Sequence, residues 1–213
     1  MQSNLFEDEY LIVVSDNNST DQTAEIVKNL NAQNYKISYL FVPQKGKGIA
    51  VLSAWKKYQA DFDIFCFMDA DLATDLSAFS PLINAIKGGA DLAIGSRYLA
   101  ESKLKRSFLR KIFSAGYRLV LKLFLGTKIK DFCCGFKAAN QKVVRLIAPQ
   151  VKNTEWFFDS EMLYLALKAG YKIKEVPVVW HEPRSGENKS RISLFRQSFE
   201  YLKEVITLRI IKR

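Results

Sequence analysis

The stretch Phe65-Cys66-Phe67-Met68-Asp69-Ala70-Asp71 is an apolar run that passes directly into two carboxylates separated by one residue. Such a run is typical of a buried strand, and here it places both acidic side chains at the strand's end. Two carboxylates in that position can bind one divalent cation, which prefers oxygen ligands and bridges to phosphate oxygens. A solvated turn is the alternative, because Asp-x-Asp is a common sequence. Asp69 and Asp71 are therefore candidate metal ligands.

Three other short apolar runs also end in turn or polar residues, and with 64–68 they predict four buried strands, at residues 10–14, 37–42, 64–68 and 91–95. Amphipathic stretches of helical period lie between them. One begins at Ser19 with a Ser-x-x-Gln capping box onto Gln22, and two more cover 48–57 and 77–86. This alternation predicts an α/β fold with an open, mostly parallel sheet, which binds ligands at the carboxyl ends of its strands.

Polar loops follow the first two predicted strands. Asp16-Asn17-Asn18-Ser19-Thr20-Asp21 is a cluster of side-chain acceptors that suits a ribose or a base edge, or equally an Asx turn with a helix cap. Gln44-Lys45-Gly46-Lys47-Gly48 combines glycines, which permit close backbone approach, with lysines that can bind a diphosphate. It lacks the Walker spacing, and an ordinary turn is the alternative.

The second half of the chain has a different character. From residue 108 to 124 one helical face is apolar and the other is basic, which suits a membrane interface or a helix packed on the core with a solvated basic face. The apolar face is Phe108, Leu109, Ile112, Phe113, Gly116, Leu119, Val120, Leu123 and Phe124. A helix at 157–169, a strand at 172–179 whose Pro177 suggests a sheet edge or a bulge, and a basic amphipathic helix from 194 complete the expected elements.

Charge is distributed unevenly along the 213 residues, whose formal net charge is +10. Residues 103–130 contain nine Lys or Arg and no Asp or Glu, and 184–213 contain eight basic and three acidic residues. An anionic partner is therefore expected: nucleic acid, phospholipid or a phosphorylated substrate. The length and the 48% hydrophobic content predict a single globular domain over 1–213.

The cysteines and the hydropathy indicate the compartment. Three cysteines, of which Cys133 and Cys134 are adjacent, do not form a disulfide framework, so we expect a reducing cytosol. No signal peptide opens the chain, and no uncharged run reaches the roughly 18 to 20 apolar residues that span a bilayer. We expect a cytoplasmic protein that lies on a membrane without crossing it.

Six motifs in this order resemble the family 2 glycosyltransferases, and most closely the polyprenyl- and dolichyl-phosphate hexosyltransferases. They are Asp16-Asn17-Asn18-Ser19-Thr20-Asp21, Gly46-Lys47-Gly48, Met68-Asp69-Ala70-Asp71, Gly95-Ser96-Arg97-Tyr98, Asp131-Phe132-Cys133-Cys134-Gly135-Phe136-Lys137 and Glu175-Val176-Pro177-Val178. The resemblance implies a GT-A-like fold, with a nucleotide-sugar-binding half (1–102) and an acceptor-side, membrane-facing half (103–213). It implies transfer of a hexose from a UDP-glucose or GDP-mannose type of donor to a polyprenyl or dolichyl phosphate at the cytosolic membrane face.

The resemblance also implies roles for single residues. Asp69 and Asp71 would be catalytic and hold Mg²⁺ or Mn²⁺ against the donor diphosphate. The donor-binding residues would be Asp16, Asn17, Lys47, Asp69 and Arg97. The acceptor phosphate would face Arg110, Ser114, Arg184 and Lys189. Because a phosphate acceptor is already ionised at neutral pH, no general base is required.

Other polar residues allow more than one interpretation. Asp159 and Glu161 would form part of the site wall or stabilise the start of a helix, although enzymes of this family with hydroxyl acceptors often place a catalytic carboxylate there. For His181 we expect a surface or hydrogen-bonded role. For Cys133 and Cys134 we expect burial without reactivity.

The sequence departs from the family pattern at two places. Members normally have a first strand and helix before the strand at 10–14, and that strand is central, between the strands ending at Asp16 and at Asp69. Its absence would expose two strand edges and impair activity through N-terminal truncation. After the carboxylate pair, Ala73, Thr74 and Asp75 resemble the glucosyl members and favour a UDP-sugar donor.

Several alternatives stay open. One is a family 2 enzyme with a hydroxyl acceptor, and another is an inactive truncated homologue that serves as a basic membrane-binding module. A sugar nucleotidyltransferase would carry its glycine-lysine loop on the first strand rather than after the second. A nucleic-acid-binding module would leave Asp69 and Asp71 unexplained and lacks an exposed aromatic ladder, so no nucleic-acid partner is expected.

Overall fold

The computed structural model describes residues 9–34, 36–105, 108–181 and 194–211. Within these ranges, the residues at 104–105, 108–113, 194–199 and 209–211 are described by their backbone alone. Eight strands are described: β1 Ile12–Asp16, β2 Ile37–Phe41, β3 Ile64–Met68, β4 Leu92–Ser96, β5 Lys103–Lys105, β6 Phe136–Asn140, β7 Ile173–Pro177 and β8 Val179–His181. Seven α-helices are described: α1 Thr23–Gln33, α2 Lys47–Tyr58, α3 Phe79–Lys87, α4 Phe108–Leu125, α5 Gln141–Leu146, α6 Phe158–Lys168 and α7 Leu194–Ile211.

The described strands form three sheets. β1 pairs in parallel with β2, and β5 pairs in parallel with β8. The largest sheet has the order β3-β6-β4-β7, in which β6 runs antiparallel to both neighbours and β4 is parallel to β7. The α/β class is confirmed, and so is the position of the strand containing Pro177 at a sheet edge.

Strands β5 and β6 were not expected, and the strand expected at 172–179 is divided into β7 and β8. β6 lies between β3 and β4, so those two strands are not neighbours, and the single open sheet expected from the alternation of elements is divided. Among the described residues β1 pairs with β2 alone and β3 with β6 alone. In the part of the chain that the structure describes, the strand that ends at Asp16 and the strand that precedes Asp69 are therefore not hydrogen-bonded to each other.

Two cores cover the faces of the largest sheet. One contains Phe65, Phe67, Leu92 and Ile94 with side chains from α2, α4, α5, α6 and α7. The other contains Ala93, Phe136 and Val176 with the apolar side of α3. Every residue of β4 is buried, which explains why its sequence is apolar throughout and why it could be recognised as a strand.

The start of α1 differs from the expected capping box. The helix begins at Thr23, and its N-cap residue Gln22 makes no side-chain cap hydrogen bond. The Ser19 amide instead donates to Asp16 Oδ1, and the Thr23 amide donates to Asp21 Oδ1. The two aspartates thus organise this loop in place of the predicted Ser19 cap.

Helix α4 buries only part of the predicted apolar face, together with residues outside it. Leu121 is 2% exposed, and Tyr117, Val120 and Leu125 pack on the core. Leu119 and Leu123, which belong to the predicted face, are 57% and 66% exposed. The core-packing alternative therefore holds for only part of that face.

Among the residues described, no helix has the length and apolar character needed to cross a bilayer.

Candidate functional site

The loops after β1, β2 and β3 are brought together by direct contacts. The Asn17 side-chain amide donates to the Gln44 carbonyl at 2.6 Å, and the Gly46 amide donates to Asn17 Oδ1, also at 2.6 Å. Lys47 Nζ lies 2.7 Å from Asp69 Oδ1. The acceptor cluster, the glycine-lysine loop and the first carboxylate of the pair therefore share one site, as the sequence predicts.

The two glycines of the loop allow a close contact between the start of α2 and the chain around the start of α6, and their approach to a diphosphate stays a prediction. A Cβ on Gly46 would lie 2.4 Å from the Thr154 carbonyl oxygen, and a Cβ on Gly48 would lie 2.6 Å from Phe158 Cβ. The Ile49 amide donates to the Thr154 carbonyl at 2.9 Å. The glycines thus let the start of α2 pack on the segment before α6, which fixes the position of Lys47.

Lys47 lies among carboxylate and aromatic groups. Besides Asp69, its ammonium is 5.2 Å from the centre of the Trp156 ring and 5.7 Å from that of Phe67. Its side chain is 15% exposed. A half-enclosed ammonium beside a carboxylate at the end of a strand is suited to contact a phosphate oxygen.

Asp16 lies 3% exposed at the end of β1. Its Oδ1 accepts from the Ser19 amide at 2.9 Å, and its Oδ2 accepts from the Tyr39 hydroxyl at 2.6 Å. Hydrogen bonds from Ser19 and then from Tyr39 lower the pKa of Asp16, so its carboxylate stays ionised at neutral pH. Tyr39 is a site residue that the sequence analysis missed, because a tyrosine inside an apolar strand gives no signal.

The carboxylates of Asp69 and Asp71 are both accessible. The Asp69 side chain is 40% exposed, and Asp71 is exposed, with Oδ1 accepting from the Ala73 amide at 3.0 Å. Gly135 packs against Asp69 so closely that a Cβ on Gly135 would lie 1.9 Å from Asp69 Oδ2. The Asp69 amide also donates to the Gly135 carbonyl at 3.0 Å. Residue 135 thus sets the direction of the Asp69 side chain.

These two carboxylates fit a divalent cation that is shared with a substrate. Among the described residues no group of three or more His, Cys, Asp or Glu side chains could hold a metal by itself. Mg²⁺ is commonly bound by one or two carboxylates, with water and substrate phosphates as its other ligands. Asp69 and Asp71 would hold the ion, and the Lys47 ammonium would then share the Asp69 carboxylate with it.

The segment that precedes β6 is fixed by buried charges. Arg97 donates from Nε and a terminal nitrogen to both oxygens of Asp131, at 2.7 and 2.8 Å, and its side chain is 8% exposed. The Glu175 carboxylate accepts from the Lys130 and Asp131 amides at 3.1 and 3.2 Å. These contacts position the chain that leads to Gly135. Because Asp131 engages the Arg97 guanidinium, donor binding by Arg97 stays a prediction.

A second buried ion pair lies beneath the site. Lys137 Nζ lies 2.8 Å from Asp159 Oδ2, and the two side chains are 0% and 3% exposed. The same ammonium donates to the Cys134 carbonyl. Burial alone would lower the pKa of Lys137, but the facing Asp159 carboxylate outweighs it and raises that pKa. Asp159 therefore holds the segment at 134–137 in place through Lys137. This agrees better with the expected role of Asp159 in the site wall than with a role as an accessible base.

The expected acceptor residues are only partly described. Ser114 is half-buried on α4, and Arg110 lies one turn before it on the same helical face. The side chain of Arg110, and the whole of Arg184 and Lys189, lie outside the description. Their assignment to an acceptor phosphate stays a prediction.

The remaining polar candidates have local roles. Glu161 is buried and accepts from the Lys152 and Asn153 amides at 3.0 and 2.8 Å. His181 is exposed at the end of β8, in agreement with a surface role. Burial raises the pKa of the Cys133 thiol to about 12 and raises that of Cys134, so both stay protonated and unreactive.

Comparisons with known proteins agree with this arrangement. Residues 2–147 match the profile of the glycosyl transferase family 2. The chain is 31% identical to the dolichyl-phosphate beta-glucosyltransferase of Saccharomyces cerevisiae, over 93% of this chain and 64% of that protein. It is 34% identical to the dolichol-phosphate mannosyltransferase of Pyrococcus furiosus, over 93% of this chain and 55% of that protein. The chain therefore spans less than two thirds of these curated relatives.

Solved structures agree on the fold. The glucosyl-3-phosphoglycerate synthase of Mycobacterium tuberculosis, solved with Mn²⁺, UDP-glucose and glycerol 3-phosphate, superposes with a TM-score of 0.60 at 18% identity, over 91% of this chain and 68% of that one. This similarity confirms the predicted GT-A-like fold. Together with the profile match over residues 2–147, it leads to one conclusion: the chain belongs to the glycosyl transferase family 2.

Proposed function

We propose that this chain is the catalytic part of an enzyme that transfers a hexose from a nucleotide-sugar to a polyprenyl or dolichyl phosphate. The observation that supports this most directly is the contact between Lys47 and Asp69, which joins a phosphate-binding type of residue to a metal-binding type at the ends of β2 and β3. The relatives named above supply the acceptor class, because both are named for a dolichol phosphate.

The chemistry needs few groups from the protein. The acceptor phosphate oxygen is ionised at neutral pH and attacks the sugar without a general base. Asp69 and Asp71 would hold Mg²⁺ or Mn²⁺, which would supply positive charge opposite the departing nucleotide diphosphate. Asn17 holds the loop that precedes Lys47, and the Lys47 ammonium, in contact with Asp69, would also bind an oxygen of the donor diphosphate. The protein therefore acts by positioning and by charge.

A hydroxyl acceptor is less consistent with the site. Such an acceptor needs a base, and the Asp159 carboxylate is 2% exposed and paired with Lys137. Asp69 and Asp71, the accessible carboxylates at the end of β3, are those assigned to the metal. A phosphate acceptor uses this arrangement as it stands.

We also propose that α4 lies against a membrane. Its outer side presents Leu119, Leu123 and Phe124, which are 57%, 66% and 38% exposed. Residues 103–130, which include this helix, carry nine basic residues and no acidic one. Apolar side chains beside basic ones are the combination that binds an anionic leaflet, where a lipid-linked phosphate would be found.

The test is a transfer assay with labelled nucleotide-sugars, Mg²⁺ or Mn²⁺ and polyprenyl phosphate, in which transferred label enters the organic phase. Asp71→Ala is expected to abolish transfer. Asp61→Ala is the matched control, because Asp61 is an exposed carboxylate that precedes β3 at its other end. Normal transfer by Asp71→Ala would refute the metal assignment, and no transfer by the unaltered protein with any donor would refute the proposed reaction.

A further inference from the structure

Two guanidinium groups contact one aromatic ring at the end of β4. Arg118 Cζ on α4 is 3.8 Å from the centre of the Tyr98 ring, and Arg97 Cζ is 5.8 Å from the same centre. The shorter distance is that of a guanidinium packed directly on the ring. Tyr98 therefore holds Arg118 in place beside Arg97.

The two arginines differ in their charge partners. Asp131 neutralises Arg97 through two hydrogen bonds to its carboxylate. Arg118 has no carboxylate within 4 Å among the residues that the structure describes, and its buried Nε has no hydrogen-bond partner among them. Buried arginine donors are normally paired. The Arg118 guanidinium is thus a half-buried cation that is fixed by stacking and lacks a described anion.

Arg118 lies next to the segment that supports the Asp69 carboxylate. The preceding residue, Tyr117, places its hydroxyl 3.3 Å from Ser160 Oγ on α6. Tyr117 packs on the same core cluster as Phe132 and Cys133, which belong to the chain that leads to Gly135. On α4 itself, Arg110, Ser114 and Arg118 are spaced by four residues and share one face.

We propose that the Arg118 guanidinium, held by Tyr98, binds a phosphate oxyanion of the reactants. This inference rests on the proposed function and adds a residue to its phosphate-binding site. A guanidinium stacked on a ring keeps its in-plane N–H donors free for the paired oxygens of a phosphate, and it stays charged at all relevant pH values. The oxyanion belongs either to the lipid acceptor or to the nucleotide diphosphate, and the position one turn after Ser114 favours the acceptor.

The alternative is that Arg118 is a purely structural contact that attaches α4 to the loop after β4. Arg118→Met retains most of the stacking volume and removes the charge and all donors, while Arg118→Lys retains the charge and removes the planar fork. Arg145→Met is the matched control. It removes the same charge from the exposed face of α5, and α5 begins beside Asp63, at the end of β3 away from Asp69.

The experiment uses the full chain with farnesyl phosphate as a soluble acceptor, so that membrane binding does not enter, and UDP as the donor-side probe. We measure the acceptor KM in the transfer assay, the UDP Kd by calorimetry and the Tm of each variant. Arg118→Met is expected to raise the acceptor KM on the order of tenfold or more, as for the loss of a charged hydrogen bond. The acceptor KM of Arg118→Lys should lie between those of the unaltered protein and of Arg118→Met. The acceptor KM of Arg145→Met should match that of the unaltered protein.

Each outcome decides between the explanations. A raised acceptor KM with unchanged UDP Kd assigns the oxyanion to the acceptor, and a weakened UDP affinity with unchanged acceptor KM assigns it to the donor diphosphate. If Arg118→Met changes neither quantity, or lowers only the Tm, the inference is wrong and Arg118 is structural. If the unaltered protein neither binds UDP nor transfers sugar to farnesyl phosphate, the proposed function itself fails, which is a different result.

Discussion

Gly135 is the residue on which the geometry of the carboxylate pair depends most directly. A side chain there would occupy the space of the Asp69 carboxylate, because its Cβ would lie 1.9 Å from Oδ2 and 2.7 Å from Oδ1. Gly135 also accepts a hydrogen bond from the Asp69 amide, so the backbone cannot move away without breaking that contact. The carboxylate must therefore rotate if residue 135 is enlarged.

We expect Gly135→Ala to lower sugar transfer about a hundredfold, since a displacement near 1 Å at a reacting centre costs about that much. The measurement is the labelled transfer assay, with Tm as a check on folding. Gly116→Ala is the control, because a Cβ at this exposed position on α4 meets nothing within 4 Å. Full activity of a folded Gly135→Ala protein would show that the Asp69 orientation does not matter.

Asp131 connects the site to the pH dependence of stability. Burial alone would raise the pKa of Asp131, but the Arg97 guanidinium outweighs burial and lowers it below the usual 3.8. A lowered folded-state pKa means stability that is present above the unfolded-state value and is lost as the pH falls through the folded-state value. The contribution of this pair is therefore complete at neutral pH, begins to fall near the ordinary pKa of 3.8 and is lost as the pH passes through the still lower folded-state pKa.

We expect Asp131→Asn to lower the free energy of unfolding by about 3–5 kcal/mol at pH 7, because it leaves the Arg97 charge buried and unpaired. The difference from the unaltered protein should shrink as the pH falls below 4. Urea unfolding followed between pH 2 and pH 7 measures both effects. A constant difference over that range would contradict the assignment of the ionised form to Asp131.

Elements made of continuous apolar runs were predictable, and β6 was not. The strands at 64–68 and 91–95 agree with β3 and β4 within one residue, because buried strands of a covered sheet need apolar side chains on both faces. Phe136-Lys137-Ala138-Ala139-Asn140 has no such run. Its lysine is tolerated in the interior only because Asp159, far away in sequence, faces it, and no local pattern contains that information.

The Lys137–Asp159 pair joins β6 to α6 and is tested by comparing single and double substitutions. Lys137→Met should lower the free energy of unfolding by about 3–5 kcal/mol, since it leaves Asp159 buried without its partner. Lys137→Met with Asp159→Leu should recover most of the loss, because two apolar groups replace the pair. Urea unfolding measures both. Lys168→Met, at an exposed position on α6, should have little effect.

An equal loss in the single and the double variant would show that the ion pair itself contributes the stability. In that case the structural account above, in which the penalty comes from the unpaired carboxylate, would be wrong. Asp159 Oδ1 is already without a described hydrogen-bond partner, so this carboxylate depends strongly on Lys137.

At the scale of the molecule, the sequence predicted which loops form the site better than it predicted their support. The polar clusters after 10–14, 37–42 and 64–68 meet because parallel strands end at one edge of an α/β fold. The roles of Gly135, Tyr39 and the Arg97–Asp131 pair depend on contacts between distant segments, which spacing does not encode. Among the described residues, β1 pairs with β2 and not with β3. The Asp16 side of the site is therefore connected to β3 mainly by side-chain contacts and by α2.

The net charge of +10 and the exposed side of α4 together predict how the whole molecule binds a membrane. Vesicles of phosphatidylcholine with phosphatidylserine should bind the protein, and vesicles without phosphatidylserine should bind it more weakly. Added salt should weaken the electrostatic part of this binding, because it screens charges over about 10 Å at 0.1 M.

The double variant Leu119→Asp with Leu123→Asp should weaken binding at every salt concentration, since these side chains would enter the apolar layer. Leu146→Asp is the control, because Leu146 is 53% exposed on α5, away from this face. Vesicle sedimentation measures the unaltered protein and both variants, and equal loss in the α4 and α5 variants would contradict the orientation of α4 towards the bilayer.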